Sequence, residues 1–368
     1  MLILFSDSAD DIQSYFIRKK CLVLRIDEGE RYIWAVLLSF LRRRRGLSGY
    51  VSEVARTTKA QLIVSLQDNL AALYQLRQWL ASTPVALIQN GLRSLKGDLL
   101  SEVRSSDVSK WQIDYYFGFT QASCDQVGEL ALKRLPIGSF RSNCVPKTSA
   151  QRDRVLSYIS TLRVDIPLST VIGGAEGTAV VSYGDILAER LRILREVLSF
   201  GMKEGLVARI LGKGPEHFAE ERFYREQLDG YIFEFVPRIS ASTQYLQVDR
   251  SFLTVSTSST LGYESLARGN RTAVIQPDSI MLQDLSLRFG WPKLLDYEGP
   301  FWSTSAASHR INEVLHFVNS ATDLQWKEAL AMTSDVLPRF DSGNSIFVAH
   351  LARWGAQQSR TRANEERE

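Results

Sequence analysis

Hydroxyl, amide, carboxylate and basic side chains gather in this sequence directly after short apolar runs, where a strand would hand over to a loop. The richest case is Ser256-Thr257-Ser258-Ser259-Thr260-Leu261-Gly262-Tyr263-Glu264, an apolar strand running into hydroxyls and then a helix that stops at Gly269. Hydroxyls beside the free N–H groups of a helix start suit an anion, because the helix dipole adds partial positive charge there. On that reading Ser258, Ser259 and Thr260 take a phosphate, and Glu264, one turn further on, takes ribose hydroxyls. The plainer reading is that Ser259 or Thr260 only caps the helix. Lys213, between Gly212 and Gly214, reaches a phosphate or sits in an exposed turn; Arg141 and Arg163 clamp an anion bidentately or remain solvated. In the first half, Asp68 follows Leu62–Leu66 and is a candidate general base. Its alternative is to cap the helix that begins near Leu70, and Asn90-Gly91 reads as a left-handed turn.

The elements that must place these residues alternate along the chain. Strands are expected at Leu2–Phe5, Cys21–Ile26, Gln61–Leu66, Pro84–Gln89 and Tyr115–Phe119, with helices over Arg31–Arg44 and Asn69–Leu80. A break without apolar periodicity at Pro136–Arg154 reads as a linker. A second series follows, with strands at Val155–Ser160, Leu206–Leu211, Tyr231–Val236, Phe252–Ser256 and Thr272–Ile275. Its helices span Asp185–Lys203 and Glu216–Leu228. Such alternation implies parallel sheets covered on both faces, and hence two Rossmann-like α/β domains facing across a cleft. The expected division is residues 1–150, residues 151–356 and a frayed, disordered tail over 357–368.

Composition narrows the classes. At 368 residues, 45% hydrophobic and 23% charged, the chain is too long for one mid-sized core and too apolar for wholesale disorder. A formal charge of +3 is too small to be a nucleic-acid footprint. Cys21, Cys124 and Cys144 form no CxxC spacing and the four histidines no metal motif, so a reducing cytoplasm is the default and no metal site is expected. Met1–Phe5 is too short an apolar run for an export signal, and no stretch reaches membrane-spanning length. The Arg42–Arg45 run closes a helix carrying Ile33, Trp34, Val36, Leu37, Leu38 and Leu41. It either rests on an anionic membrane surface or complements the helix dipole, with the apolar residues in the core.

The run Val255–Gly269 resembles the signature of bacterial O-antigen and surface-carbohydrate biosynthesis proteins, which are glycosyltransferase-like and of GT-B architecture. Further pieces resemble that family in order: Gln67-Asp68-Asn69, Ile88–Arg93, Ile137–Asn143, Glu221–Tyr224, Phe289–Pro292 and Gly299–Trp302. The serine element is also similar to that of CDP-glycerol transferases of the teichoic-acid type. Where the family has Ser-Gln-Tyr/Phe-Arg, this chain has Ser160-Thr161-Leu162-Arg163, and Ser258 stands where Asp or Asn is usual. The resemblance implies a cytoplasmic, metal-independent glycosyltransferase without a cofactor, moving a sugar from an activated, nucleotide-linked donor to a growing glycan or lipid-linked glycan. The donor would be held by Arg141, Arg163, Lys213, Ser258, Ser259, Thr260 and Glu264. Asp68 would serve as base, supported by Gln89 and Asn90. A CDP-glycerol-type phosphotransferase and a GT-B-fold sugar-nucleotide epimerase are the alternatives, and a catalytically inactive nucleotide-binding subunit is a third.

Overall fold

The structure, a computed structural model, describes residues 2–5, 12–16, 21–24, 32–44, 46–80, 82–94, 111–148, 152–173, 180–214 and 217–353. The expected tail over 357–368 and Arg45 lie outside the described residues. The chain divides into two units, Met1–Cys144 with Asp341–Glu368, and Val145–Phe340.

Unit 1 is built on six parallel strands: β1 (Leu2–Phe5), β2 (Cys21–Leu24), β3 (Leu62–Ser65), β4 (Val85–Ile88), β5 (Ile113–Gly118) and β6 (Ala131–Pro136). Their order is β2-β1-β3-β4-β5-β6. Every residue of β3 and β4 is buried, as expected of central strands covered on both faces. The helices are α1 (Ile33–Leu41), α2 (Gly46–Thr57), α3 (Ala71–Tyr74), α4 (Gln121–Val127) and α5 (Phe140–Cys144). The long helix expected over Asn69–Leu80 is instead α3 followed by a 3-10 turn at Leu76–Gln78. The Tyr74 carbonyl accepts the backbone N–H of Gln112 (3.0 Å), and the Tyr74 hydroxyl donates to the Asp68 carbonyl (2.9 Å). The first of these occupies the carbonyl that the next intrahelical bond would use.

In unit 2 the strands are β7 (Asp153–Ile159), β8 (Val171–Gly173), β9 (Val181–Ser182), β10 (Val207–Leu211), β11 (Glu234–Val236), β12 (Ser251–Ser256), β13 (Thr272–Ile275) and β14 (Trp302–Ser303). β8 and β9 form a small antiparallel pair. The other six make a parallel sheet of order β11-β10-β7-β12-β13-β14. Counted within the unit this is 3-2-1-4-5-6, the Rossmann order, with its reversal between β7 and β12. Its helices are α6 (Tyr183–Lys203), α7 (His217–Gln227), α8 (Ala241–Arg250), α9 (Thr260–Ala267), α10 (Asp278–Met281), α11 (Ser308–Ser320) and α12 (Asp323–Ala331). α6 begins two residues before the expected Asp185, because Ser182 and Asp185 form a capping box. Phe301 and Trp302 are buried, and Trp302 begins β14.

Two boundaries need correction. The first unit closes at Cys144 rather than residue 150, and residues 341–356, expected in the second unit, belong to the first. A last helical run over residues 345–353 covers the unit 1 sheet. Phe347 is fully buried there, with its ring 5.1 Å from both Phe117 and Phe140. Asn143 receives the backbone N–H groups of Asp341 (2.9 Å) and Gly343 (2.8 Å). The sequence here shows no strong apolar period, so only its partners reveal the assignment. Phe347→Ala should lower stability by about 3–5 kcal/mol, the usual cost of emptying a buried aromatic site. Urea denaturation followed by near-UV circular dichroism measures it, and a loss below about 1 kcal/mol would contradict this packing.

Candidate functional site

In an open parallel sheet the ligand crevice lies beyond the carboxyl ends of the strands at the point where strand order reverses. In unit 2 that point joins the loops after β7, β10, β12 and β13, and five of the sequence-predicted residues (Arg163, Lys213, Ser258, Ser259 and Thr260) lie on them or at the start of α9. The arrangement begins with two glycines. A Cβ on Gly262 would stand 2.3 Å from the Ser256 Oγ, so α9 packs against the end of β12 only because residue 262 has no side chain. A Cβ on Gly212 would stand 2.8 Å from the Phe235 ring, which brings the loop after β10 equally close.

Ser259 is the N-cap of α9, its hydroxyl accepting the Leu261 N–H (3.3 Å). The capping reading therefore holds for Ser259, and Thr260 is the first helical residue. Ser258 is different. Its hydroxyl accepts a hydrogen bond from Arg190 Nη2 (2.8 Å), a guanidinium carried in from α6. The same Nη2 is paired with Asp278 at the start of α10. Burial works against the Arg190 charge, but Asp278 outweighs it and holds the guanidinium protonated. Arg190 Nε and Asp278 Oδ1 are buried and have no hydrogen-bond partner among the described residues.

Lys213 lies near Arg163 and Arg190. Burial first, and then the repulsion of these two cations, pushes its ammonium down to about 8. Its backbone N–H donates to both oxygens of Glu220 (3.1 and 3.0 Å). Glu220 also accepts from the Ser160 hydroxyl, which lies 2.8 Å from the Tyr224 hydroxyl. One buried carboxylate thus ties the loop after β7 to the loop after β10. Arg163 is less available than expected, because it is bidentate to Asp165 (3.0 and 2.7 Å) with both side chains about half exposed. Glu264 is on α9 and only 5% exposed. Arg141 is not on these loops: it belongs to α5 of unit 1. The arginine that ends the signature, Arg268, is structural. It is paired with Asp249, both side chains fully buried, and donates to the Val145 (3.0 Å) and Pro146 (3.2 Å) carbonyls.

In unit 1, Asp68, Gln89 and Asn90 do come together at the ends of β3 and β4. Asp68 accepts from Arg93 Nε (2.9 Å), Arg93 Nη2, the Asn90 backbone N–H (3.2 Å) and the Tyr116 hydroxyl (3.0 Å). Burial pushes its carboxyl up, and Arg93 foremost pulls it back. These four donors occupy the usual capacity of a carboxylate. The expected general-base role of Asp68 does not fit this geometry, nor does helix capping, since α3 has Leu70 at its N-cap. Gln89 is likewise engaged, donating to the Gly91 carbonyl (2.9 Å) and accepting the Phe119 N–H (2.7 Å). Asn90 accepts from Arg93 Nη2 (2.8 Å). The three form a knot that sets the loop over residues 89–94. Elsewhere in unit 1, a cavity of about 360 Å³ is lined by Leu62, Ala86, Tyr115, Phe117, Lys133, His350 and neighbours, and by none of the predicted site residues.

Two Rossmann-type parallel sheets, with basic side chains grouped at the strand-order reversal of the second, define a protein of GT-B-like fold. Solved structures bear this out. One, described as a putative UDP-N-acetylglucosamine 2-epimerase from Listeria monocytogenes, is similar at a TM-score of 0.57 and 10% identity, covering 97% of this chain and 96% of that one. The wall teichoic acid polymerase TagF gives 0.53 at 11% identity, covering 98% and 90%. The UDP-GlcNAc 2-epimerase of Methanocaldococcus jannaschii, in complex with UDP-GlcNAc and UDP, gives 0.53 at 10%, covering 95% and 99%. No curated protein matches the sequence. The chain belongs to the family described as "putative O-antigen biosynthesis protein", whose model matches residues 86–354.

Arg190, Asp278, Glu220, Arg93 and Tyr116 were not singled out in the sequence. Arg190 is one charge on an amphipathic helix, and Glu220 reads as part of a solvated face. Two outcomes test the site. Anion binding restores the full charge of Lys213, so nucleotide affinity should be flat below pH 8 and fall by up to tenfold per unit above it. In Lys213→Arg that fall should vanish, because arginine stays charged; calorimetric titration at pH 7, 8 and 9 measures both. Asp68→Asn, which leaves Arg93 without its counter-charge, should cost about 3 kcal/mol in chemical denaturation. A purely catalytic Asp68 would show no such loss.

Proposed function

We propose that this protein is a glycosyltransferase that moves a sugar from a nucleotide-linked donor to a growing surface polysaccharide such as O-antigen. The observation that carries the reading is the Arg190–Ser258–Lys213 group. Two cations and a hydroxyl converge at the strand-order reversal, and their fixed placement suits a diphosphate. Arg190 Nε, buried and without a partner among the described residues, supplies a further donor. Membership of the O-antigen biosynthesis family supports the pathway, and a related fold that binds UDP-GlcNAc supports the class of donor.

In this reading Arg190 and Lys213 hold the diphosphate. Ser258 and the first turn of α9, capped by Ser259 and begun by Thr260, complete its cradle, Glu264 meets the ribose, and Arg163 adds to the field from the crevice edge. Negative charge grows on the phosphate as the glycosidic bond breaks, so prearranged cations stabilise the transition state more than the ground state. Asp278 keeps Arg190 oriented. In unit 1 the Asp68 knot is a positioning device for the loop at 89–94, and Arg141 is proposed for the donor only through its place after β6. The acceptor is a glycan or lipid-linked glycan, met in the cytoplasm with peripheral contact at an anionic membrane surface. No metal or cofactor is required for these steps.

Incubating the full chain with a panel of nucleotide sugars, with and without lipid-linked glycan, tests the reading. Release of free nucleoside diphosphate only when acceptor is present is expected. Isomerised donor without acceptor would establish the epimerase instead, and CMP from CDP-glycerol the phosphotransferase. Binding without turnover under every condition would leave an inactive nucleotide-binding subunit. Ser258→Ala combined with Lys213→Met should weaken donor binding by about 3 kcal/mol, roughly a hundredfold, with the thermal midpoint unchanged.

A further inference from the structure

α1 (Ile33–Leu41, IWAVLLSFL) buries its small residues and exposes its large ones. Ala35 and Ser39 are buried, whereas Ile33 is 75%, Leu37 57%, Phe40 76% and Leu41 73% exposed, with Trp34 and Val36 also exposed. A helix of a soluble core shows the opposite pattern, its bulky apolar stripe turned inward. Of the two readings of this helix, the one that places these side chains in the core does not hold: α1 rests on the rest of unit 1 through its thin side. The bulky side is a continuous apolar surface on one helix, of the kind that marks an interaction site.

The chemistry at the two ends identifies what covers it. At the carboxyl end, Arg42, Arg43 and Arg44 follow directly. Glu53 of α2, fully buried, accepts from Arg42 (2.7 Å), Arg44 (3.0 Å) and Arg56 (3.3 Å). One carboxylate among four arginines leaves a net positive cluster, fixed in place beside the apolar face, with Arg43 exposed. At the amino end, Tyr32 and Trp34 stand 5.9 Å apart as an aromatic pair. A nine-residue helix is about 13.5 Å long, less than half of a bilayer's hydrocarbon thickness. It cannot span, but it can lie in the interface with its apolar side among the acyl chains and its arginines at the phosphates.

We infer that α1 is a membrane-docking helix that inserts its Ile33–Leu37–Phe40–Leu41 side into the surface of a bilayer bearing anionic lipids. This deepens the membrane contact in the functional reading above, but the docking needs neither donor nor acceptor. Vesicle binding therefore tests it separately, and its failure would leave the transferase reading standing.

Full-length protein is floated with vesicles of phosphatidylcholine alone or with about one third phosphatidylglycerol. Binding to the anionic vesicles is expected, at least tenfold weaker on phosphatidylcholine and weakened by 0.5 M salt. Leu37→Asp with Phe40→Asp should abolish it while leaving the thermal midpoint and nucleotide affinity unchanged, since both side chains are exposed. Arg43→Glu alone should reduce it severalfold. No binding to anionic vesicles, or binding that survives the double aspartate variant, overturns the proposal. So does a wild-type dimer in sedimentation equilibrium that the double variant converts to monomer, because the face would then belong to a second copy.

Discussion

A charged side chain inside a protein is tolerable only where something opposes it, and the crevice of unit 2 is organised by that constraint. Arg190 leaves the helical surface of α6, gives up water, and is held by Asp278 from the far side of β12. The pair is costly to bury and costly to break. Its geometry therefore fixes α6, the end of β12 and the start of α10 relative to one another. Glu220 acts in the same way on the other flank, where its two oxygens define the path of the chain through Lys213. The loops after β7, β10, β12 and β13 are thus held by buried carboxylates.

This arrangement explains why Lys213 is easier to discharge than an ordinary lysine. Burial is the main cause; beyond it, three basic groups are close together, and the nearby carboxylates, Asp278, Asp165 and Glu220, are each already bonded to the scaffold or to one of the cations. In the proposed function an incoming anion would relieve this repulsion. Unit 1 shows the contrary case. There Arg93 and Tyr116 satisfy Asp68 completely, and the result is a rigid loop without a spare proton acceptor.

Much of the fold was legible because its signals are local. β13 falls where its apolar run predicts, and the strand before the serine-rich turn is displaced by one residue at its start. Gly269, read as a helix stop, has φ +77°. The site was legible in part for the same reason. Ser258, Lys213 and Asp68 follow strands, and strand ends are visible in sequence. Their partners were not, because Arg190 lies 68 residues from Ser258 and Arg93 lies 25 from Asp68. No periodicity encodes which charge among forty-four basic residues will be buried. The capping alternative for Ser259, and the exposed face of α1, were both decided by packing that only three dimensions supply.

The second unit interrupts the first, since residues 341–353 return to the sheet begun at β1. During synthesis on the ribosome, everything that unit 2 needs is made before Phe347, whereas unit 1 waits for a segment that follows unit 2. Its sheet face beside Phe117 and Phe140 stays uncovered for that interval. The interrupted half thus matures second although its strands come first, and a chain released early would carry a finished Rossmann insert on an open-faced partner.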